Sequence, residues 1–537
     1  MVSEARRWPF VATGACAALF LLEAWEPRAQ VDDAFISYRY AANLLAGQGL
    51  VFNPGEYVEG FTNLLWTLLV AGGMALGFAP EGVGHALGVG SAVATLLAAH
   101  AYSRALLPPS HAAWACLAPW IVWSSASFGL WSVSGMETPL FVAAATLAFA
   151  AQAGGQPGRA SGWAILATLT RPEGVLVGGA VLAFHLPAAW RAGRRAWTPA
   201  AAYVLCLALL TAFRLAYYGS PVPNTFYAKV GGIPVARGLA YLADFLWSGS
   251  FLLVIPAAWA VARDRRTWPA AGFIALVCLY VVAIGGDAFP ASRFLLPVLA
   301  LLAGLAVRGV SAAWASSRHL GIVLATSLPA TFGWQVSAPT LAPLVVALPA
   351  AGVAWALVAR RGARRTPALA SFACTLVAGS ALVALGASRV HPTTGPPWPG
   401  SRGERLAVYR AWDEAMRRMA MRRAEVLRGW GTPPRLVAAA GIGALGYHSG
   451  LPMLDLVGLT EPTIARSAAE RVSGALLLPG HQRSNVDYVL AREPDVIVIR
   501  RVGSPEPLPV EAALWGHPRF EREYAWDRTL WAYVRRR

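Results

Sequence analysis

The strongest constraint on this chain is a recurrence. Between residues 9 and 387, fourteen stretches of mostly apolar side chains follow one another with only short polar breaks: 9–25, 63–79, 83–107, 110–128, 136–153, 159–170, 174–190, 198–218, 245–262, 268–285, 293–310, 319–335, 340–359 and 367–387. A bilayer core of ~30 Å is crossed by ~20 mostly apolar residues in a helix, and in lipid every backbone N–H and C=O must be paired within the protein. Hydrophobic residues make up 56% of the chain and mean hydropathy is +0.48, whereas soluble domains run nearer ~45–50% apolar. The pattern excludes a soluble globular protein and specifies an α-helical polytopic membrane protein. The segment Pro9–Trp25 follows Arg6 and Arg7 but precedes no small-residue cleavage site, so it reads as a retained first transmembrane helix.

Charge orients the helices. Clusters at Arg191/Arg194/Arg195, Arg263/Arg265/Arg266 and Arg360/Arg361/Arg364/Arg365, with Arg6 and Arg7, are expected in the cytoplasm. Counting outward puts the loops 26–62, 129–138, 170–174, 219–244 and 286–292 on the extracytoplasmic side, along with the chain from about Arg389. For these sides to agree, 63–79 and 83–107 must make one net crossing between them, which leaves about thirteen transmembrane helices, or eleven if 159–190 is a non-spanning hairpin, hence about 11–13. Residues 1–388 then form the membrane domain. Residues 389–537 lack long apolar runs and form a small extracytoplasmic α/β cap, with a charged helix over Glu404–Arg428, strands at Leu436–Ala440 and Val496–Ile499, and an edge hairpin in Phe520–Val534.

The net charge of +17 rests on 44 arginines and a single lysine, a skew that follows coding composition, with many of the arginines acting as orientation signals in short loops; nucleic acid is not the implied partner. The five cysteines (Cys16, Cys116, Cys206, Cys278, Cys374) are scattered through apolar segments without metal-ligand spacing. His85, His100 and His111 are singletons and read as packing residues.

The first outer loop opens on two acids, Asp32 and Asp33. One has an ordinary task, since Asp33 precedes the helical stretch Ala34–Ala46 and can cap it; the second acid is not needed for that. The other outer loops carry Glu56, Glu59, Asn63, Glu137, Thr138, Arg171, Glu173, Asn224, Tyr227, Lys229, Asp287 and Arg293. Each has a plain alternative: Arg171 and Glu173 can pair across Pro172, Glu137 can sit at a helix N-terminus, Asp287 can form a turn, and Lys229 can anchor at the interface. Gathered on one face, they suggest a cleft at the membrane surface. Transfer from a lipid phosphate needs there a carboxylate to take a hydroxyl proton and cations aimed at the departing phosphate. No P-loop or Rossmann fingerprint is found, so no nucleotide cofactor is expected.

The ordered series DDAFISYRYAANLLAGQGLVFNPGEYVEGFTN, SGMETPLF, LTRPEG, YYGSPVPNTFYAK, GGDAFPASRFLLP, GALGYHSGLPMLDLVGLTEPTIAR and REPDVIVI resembles the AftB-type terminal arabinofuranosyltransferases and their uncharacterised relatives, in the GT-C superfamily of membrane glycosyltransferases, from about residue 9 to about residue 500. The resemblance implies a GT-C fold in the bacterial inner membrane, a polyprenyl-phosphate-linked sugar donor, and an active site beneath the cap. It maps the family's acid pair to Asp32 and Asp33, for acceptor activation or for metal and sugar binding. Arg171, Lys229 and Arg293 are assigned to the donor phosphate from charge alone. Glu59, Asn63, Glu137, Glu173, Asn224, Tyr227 and Asp287 complete the expected substrate-binding set. A divalent cation (Mg2+ or Mn2+) on Asp32, Asp33 and Glu137 is a further expectation.

The expected reaction moves a pentofuranose or hexose to a glycan, lipid or protein of the envelope. A transporter is the second reading, although its polar groups should lie near mid-span and no inverted repeat is found. A non-enzymatic envelope or flagellar assembly factor is the third.

Overall fold

The computed structural model describes residues 8–24, 30–229, 235–289, 291–328, 331, 402–468 and 478–536. Among these, six helices are long and apolar enough to cross a membrane: Pro80–Leu106, Gly174–Ala192, Arg194–Tyr218, Val235–Arg263, Arg265–Ile284 and Arg293–Ser316. A seventh is broken, with Pro109–Ser124 and Ala126–Ser132 meeting at 74° where Ser125 takes an extended conformation. Three shorter apolar helices are Pro9–Ala24, Leu64–Ala75 and Thr138–Ala153. The expected spans 340–359 and 367–387, the arginines at 360–365, residues 329–330 and 332–335 of the expected span 319–335, and Cys374 lie outside the described residues.

Parity required one weak segment near residue 70. The Leu64–Ala75 helix has 12 residues, and at 1.5 Å per residue it rises about 18 Å, too little for a ~30 Å core. Pro157–Thr170, with 14 residues, is short for the same reason. Leu64–Ala75 stops where Gly77 adopts positive φ, and the chain turns directly into Pro80–Leu106.

Small residues let the bundle close. Arg293–Ser316 is its central helix, with 89% of its apolar window buried. A side chain at Gly309 would lie 1.7 Å from the Pro256 carbonyl, and one at Gly304 would lie 2.5 Å from Tyr102. Without a hydrophobic drive between helices in lipid, such close backbone approach supplies the packing.

The C-terminal region is a small sheet with helices. Strands β1 (Val437–Ala439), β2 (Met453–Asp455), β3 (Val496–Val498), β4 (Tyr524–Asp527) and β5 (Ala532–Arg535) are arranged β2-β1-β3-β5-β4. β1 pairs parallel with β2 and β3, β5 runs antiparallel to β3, and β4 and β5 form the expected edge hairpin. The charged helix runs from Arg402 to Arg428. β2 was not anticipated, because its three residues carry no period of their own.

This region is docked on the helix Asp32–Leu45. Arg39 is buried, makes no ion pair among the described residues, and donates to the carbonyls of Phe52, Gly446 and Leu451, each at 2.7 Å. Asn53 donates to the Met453 carbonyl at 2.7 Å and accepts from the Met453 N–H at 3.1 Å, so its amide caps the edge of β2 as a strand would. Asn224 extends the seam by donating to the carbonyls of Gly458 and Leu459.

Candidate active site

Between the apolar helices, the loops that join them and the C-terminal sheet lies a cavity of ≈ 1370 Å³. Asp32, Asp33, Arg171, Glu173, Lys229, Asp287 and Arg293 all line it. Four separate connections thus bring their charged residues to one place, as a common cleft requires. Leu207, Leu210 and Val175 line the same cavity, giving it an apolar wall toward the helices.

The two acids have different roles, and neither caps its own helix as expected. The helix starts at Asp32, both acids stand in its first turn, and Val31 occupies the N-cap position without a side-chain cap. Asp32 instead receives the N–H of Gly443 at 3.0 Å and of Ala444 at 2.8 Å. It therefore caps the start of the Gly443–Ser449 helix in the C-terminal region. A Cβ at Gly443 would lie 1.9 Å from the Asp32 carbonyl, so glycine is what allows the approach. Burial, reinforced by the charge of Asp33, pushes the Asp32 carboxyl up to about 6 against the pull of those two N–H groups. Asp33 has no hydrogen bond or ion pair among the described residues while it lines the cavity.

The cations are held in buried pairs. Arg171 bridges Glu137 and Glu173, and Asn63 donates to the other Glu137 oxygen at 2.8 Å. Arg293 pairs with Asp287 at 2.8 and 3.1 Å. The two guanidiniums lie on the same Phe294 ring, 5.1 and 5.2 Å from its centroid, a cation–π arrangement that desolvated arginine favours. Arg293 Nη1 is buried and has no partner among the described residues. Lys229 makes no hydrogen bond or ion pair among them, and its stem packs on Gly480, where a Cβ would lie 3.1 Å from Lys229 Cγ.

The remaining expected residues stand behind this wall. Glu59 pairs with Arg214 at 2.9 Å and its carbonyl accepts from the Asn224 N–H. Asn63 and Glu137 hold Arg171, Asn224 holds the C-terminal region, and Tyr227 carries the Arg466 guanidinium 4.6 Å over its ring. None of these five lines the cavity. At the expected cation site, both Asp32 oxygens accept backbone N–H groups, both Glu137 oxygens are taken by Asn63 and Arg171, and no group of three metal-binding side chains occurs among the described residues.

Several cavity residues were not anticipated, His481 and Asp413 among them. His481 lies in the turn after Gly480, and Asp413 lies on the Arg402–Arg428 helix. His85, His100 and His111, by contrast, pack as expected, bonding Ala24, Thr13 and Ser311. Asp413 is 6% exposed, has no partner among the described residues, and burial pushes it up to about 7. A carboxyl whose folded pKa exceeds its unfolded value lowers stability as pH rises through that interval. Asp413→Asn is therefore expected to raise the thermal midpoint at pH 8, where the buried charge is fully formed, and by less at pH 5. Equal shifts at both values would show that Asp413 is solvated.

The comparisons with known proteins follow this geometry. Residues 409–535 match a family model described as a domain of unknown function, DUF8728. A terminal β-(1→2)-arabinofuranosyltransferase of Corynebacterium glutamicum is 30% identical over 340 residues, 53% of this chain and 48% of that protein. Its Mycobacterium tuberculosis counterpart is 30% identical over 353 residues, 55% of this chain and 54% of that protein. The chain spans about half the length of the curated relatives it matches. Among solved structures, ArnT from Cupriavidus metallidurans aligns in its apo state with a TM-score of 0.47 and 14% identity, covering 85% of this chain and 87% of that one. The form bound to undecaprenyl phosphate aligns with the same TM-score and 13% identity, covering 83% and 85%. The resemblance carried by the motif series is matched by the alignments: over about half its length, this chain is similar in sequence to terminal arabinofuranosyltransferases.

Proposed function

We propose that this protein is a GT-C-type glycosyltransferase of the bacterial inner membrane that transfers a sugar from a polyprenyl-phosphate donor to an envelope acceptor on the extracytoplasmic side. The observation that carries this reading is the shared cavity, in which the carboxylate of Asp33, without a hydrogen bond or ion pair among the described residues, faces the same space as Arg171, Lys229 and Arg293. Asp33 takes the proton of the acceptor hydroxyl. The hydroxyl oxygen bonds to the anomeric carbon as the bond to phosphate breaks, and the electron pair leaves with the polyprenyl phosphate. Lys229 and Nη1 of Arg293, which has no partner among the described residues, are donors for the phosphate oxygens. A positive charge fixed before the reaction needs no reorganisation as negative charge develops, which makes such groups effective. The apolar wall at Val175, Leu207 and Leu210 suits the lipid chain. Similarity to arabinofuranosyltransferases favours a pentofuranose, arabinofuranose first, with a hexose as the wider class.

Mass spectrometry of polyprenyl-phosphate sugars in a deletion strain tests this directly. Accumulation of one sugar-linked lipid, cleared when the gene is restored, is expected. The proposal fails if none accumulates and the purified protein releases polyprenyl phosphate from neither pentofuranose nor hexose donors.

A further inference from the structure

Among the described residues, His481 is the histidine that lines the cavity, and its hydrogen bonding defines what it can offer. Its Nδ1 lies 3.1 Å from the Pro479 carbonyl oxygen. A carbonyl only accepts, so Nδ1 carries the proton, and in the neutral ring Nε2 is left with a lone pair and no donated hydrogen. No hydrogen bond reaches Nε2 among the described residues. The turn that presents the ring depends on Gly480, whose φ is +80° and whose missing side chain leaves room for the Lys229 stem.

The charged groups around the ring come from three other elements. Asp33 on the Asp32–Leu45 helix and Asp287 in the 286–292 loop favour the imidazolium, whereas Lys229 opposes it. On its own loop, Arg483 donates to the Ser467 carbonyl. Burial is the largest influence and pulls the imidazole below its usual range, so the ring is neutral at pH 7.

We propose that His481 Nε2 accepts a hydrogen bond from a hydroxyl of the sugar bound beside Asp33, making it a substrate-positioning and specificity-determining residue. The inference rests on the sugar-transfer reading above. The ligand class it implies is a polyhydroxylated sugar that presents one hydroxyl as donor. A site built around such a bond rejects an analogue lacking the hydroxyl, because the acceptor is then left unpaired. Protonation would turn Nε2 from acceptor into donor, so binding weakens as pH falls below the histidine range.

The test uses the purified full-length protein with a short-chain polyprenyl-phosphoryl arabinofuranose, a hexose counterpart and an octyl arabinofuranoside acceptor. His481→Leu is expected to raise KM about tenfold or more, with a smaller change in kcat and an unchanged thermal midpoint. His481→Gln, whose carbonyl accepts and does not titrate, is expected to restore KM near pH 7 and to abolish its rise at acid pH. An unaltered KM and pH profile in His481→Leu would overturn the assignment, as would a Gln variant as impaired as Leu. Wild-type protein inactive on both donors would instead overturn the transfer reading itself, and this assignment with it.

Discussion

Asp33→Asn is expected to reduce sugar transfer by about 10²–10⁴-fold, the usual range for loss of a positioned proton acceptor, while leaving the thermal midpoint unchanged. The amide fills the same space, and Asp33 gives up no hydrogen bond or ion pair among the described residues. Asp32→Asn should behave differently, although the two acids are adjacent. Asp32 accepts two N–H groups at the start of the Gly443–Ser449 helix, and an amide can accept only through its oxygen, turning its NH2 toward one of those donors. A hydrogen bond to a charged group contributes ~1.5–3 kcal/mol, so a lowered thermal midpoint is expected, with any loss of activity following from loosened docking. Transfer assays and melting curves on both variants separate the two roles. The assignment is wrong if Asp33→Asn remains active, or if Asp32→Asn is inactive at an unchanged midpoint.

Arg171→Met carries the largest expected stability effect. Arg171 is 6% exposed and Glu137 1% exposed, and the guanidinium is what separates the Glu137 and Glu173 charges. Removing one partner of a buried ion pair costs ~3–5 kcal/mol, because the other charge stays behind unpaired. Adding Glu137→Gln to Arg171→Met should recover part of that loss, since the uncompensated charge is removed while the amide can still bond Asn63. Melting curves in detergent measure both steps. If the double variant is no more stable than the single one, the cost lies in lost packing against Phe294 and Phe141.

Some pairings recorded in the structure were visible as local chemistry. Arg171 and Glu173 are two residues apart, and they pair. Asp287 and Arg293 pair as well, although the sequence suggested only a turn for Asp287. Others could not have been read. The partner of Asp32 is 411 residues away along the chain, and Arg39 reaches Leu451 across 412. His481 had one legible signal, a titratable ring directly after a glycine, but nothing in the local pattern connects it to a cavity that Asp32 and Asp33 also line.

The sequence by itself determined the membrane character, the helical class, the small C-terminal sheet and the set of polar residues worth following. These depend on apolar run length, on period and on residue type, all properties of neighbours along the chain. Only the tertiary structure decided which acid is a cap and which stands open, that Glu137 belongs to an arginine, and that Asp413 and His481 enter the cavity. Those outcomes depend on which donor each carboxylate meets when distant segments pack, and that choice is made by burial and hydrogen-bond completion rather than by spacing.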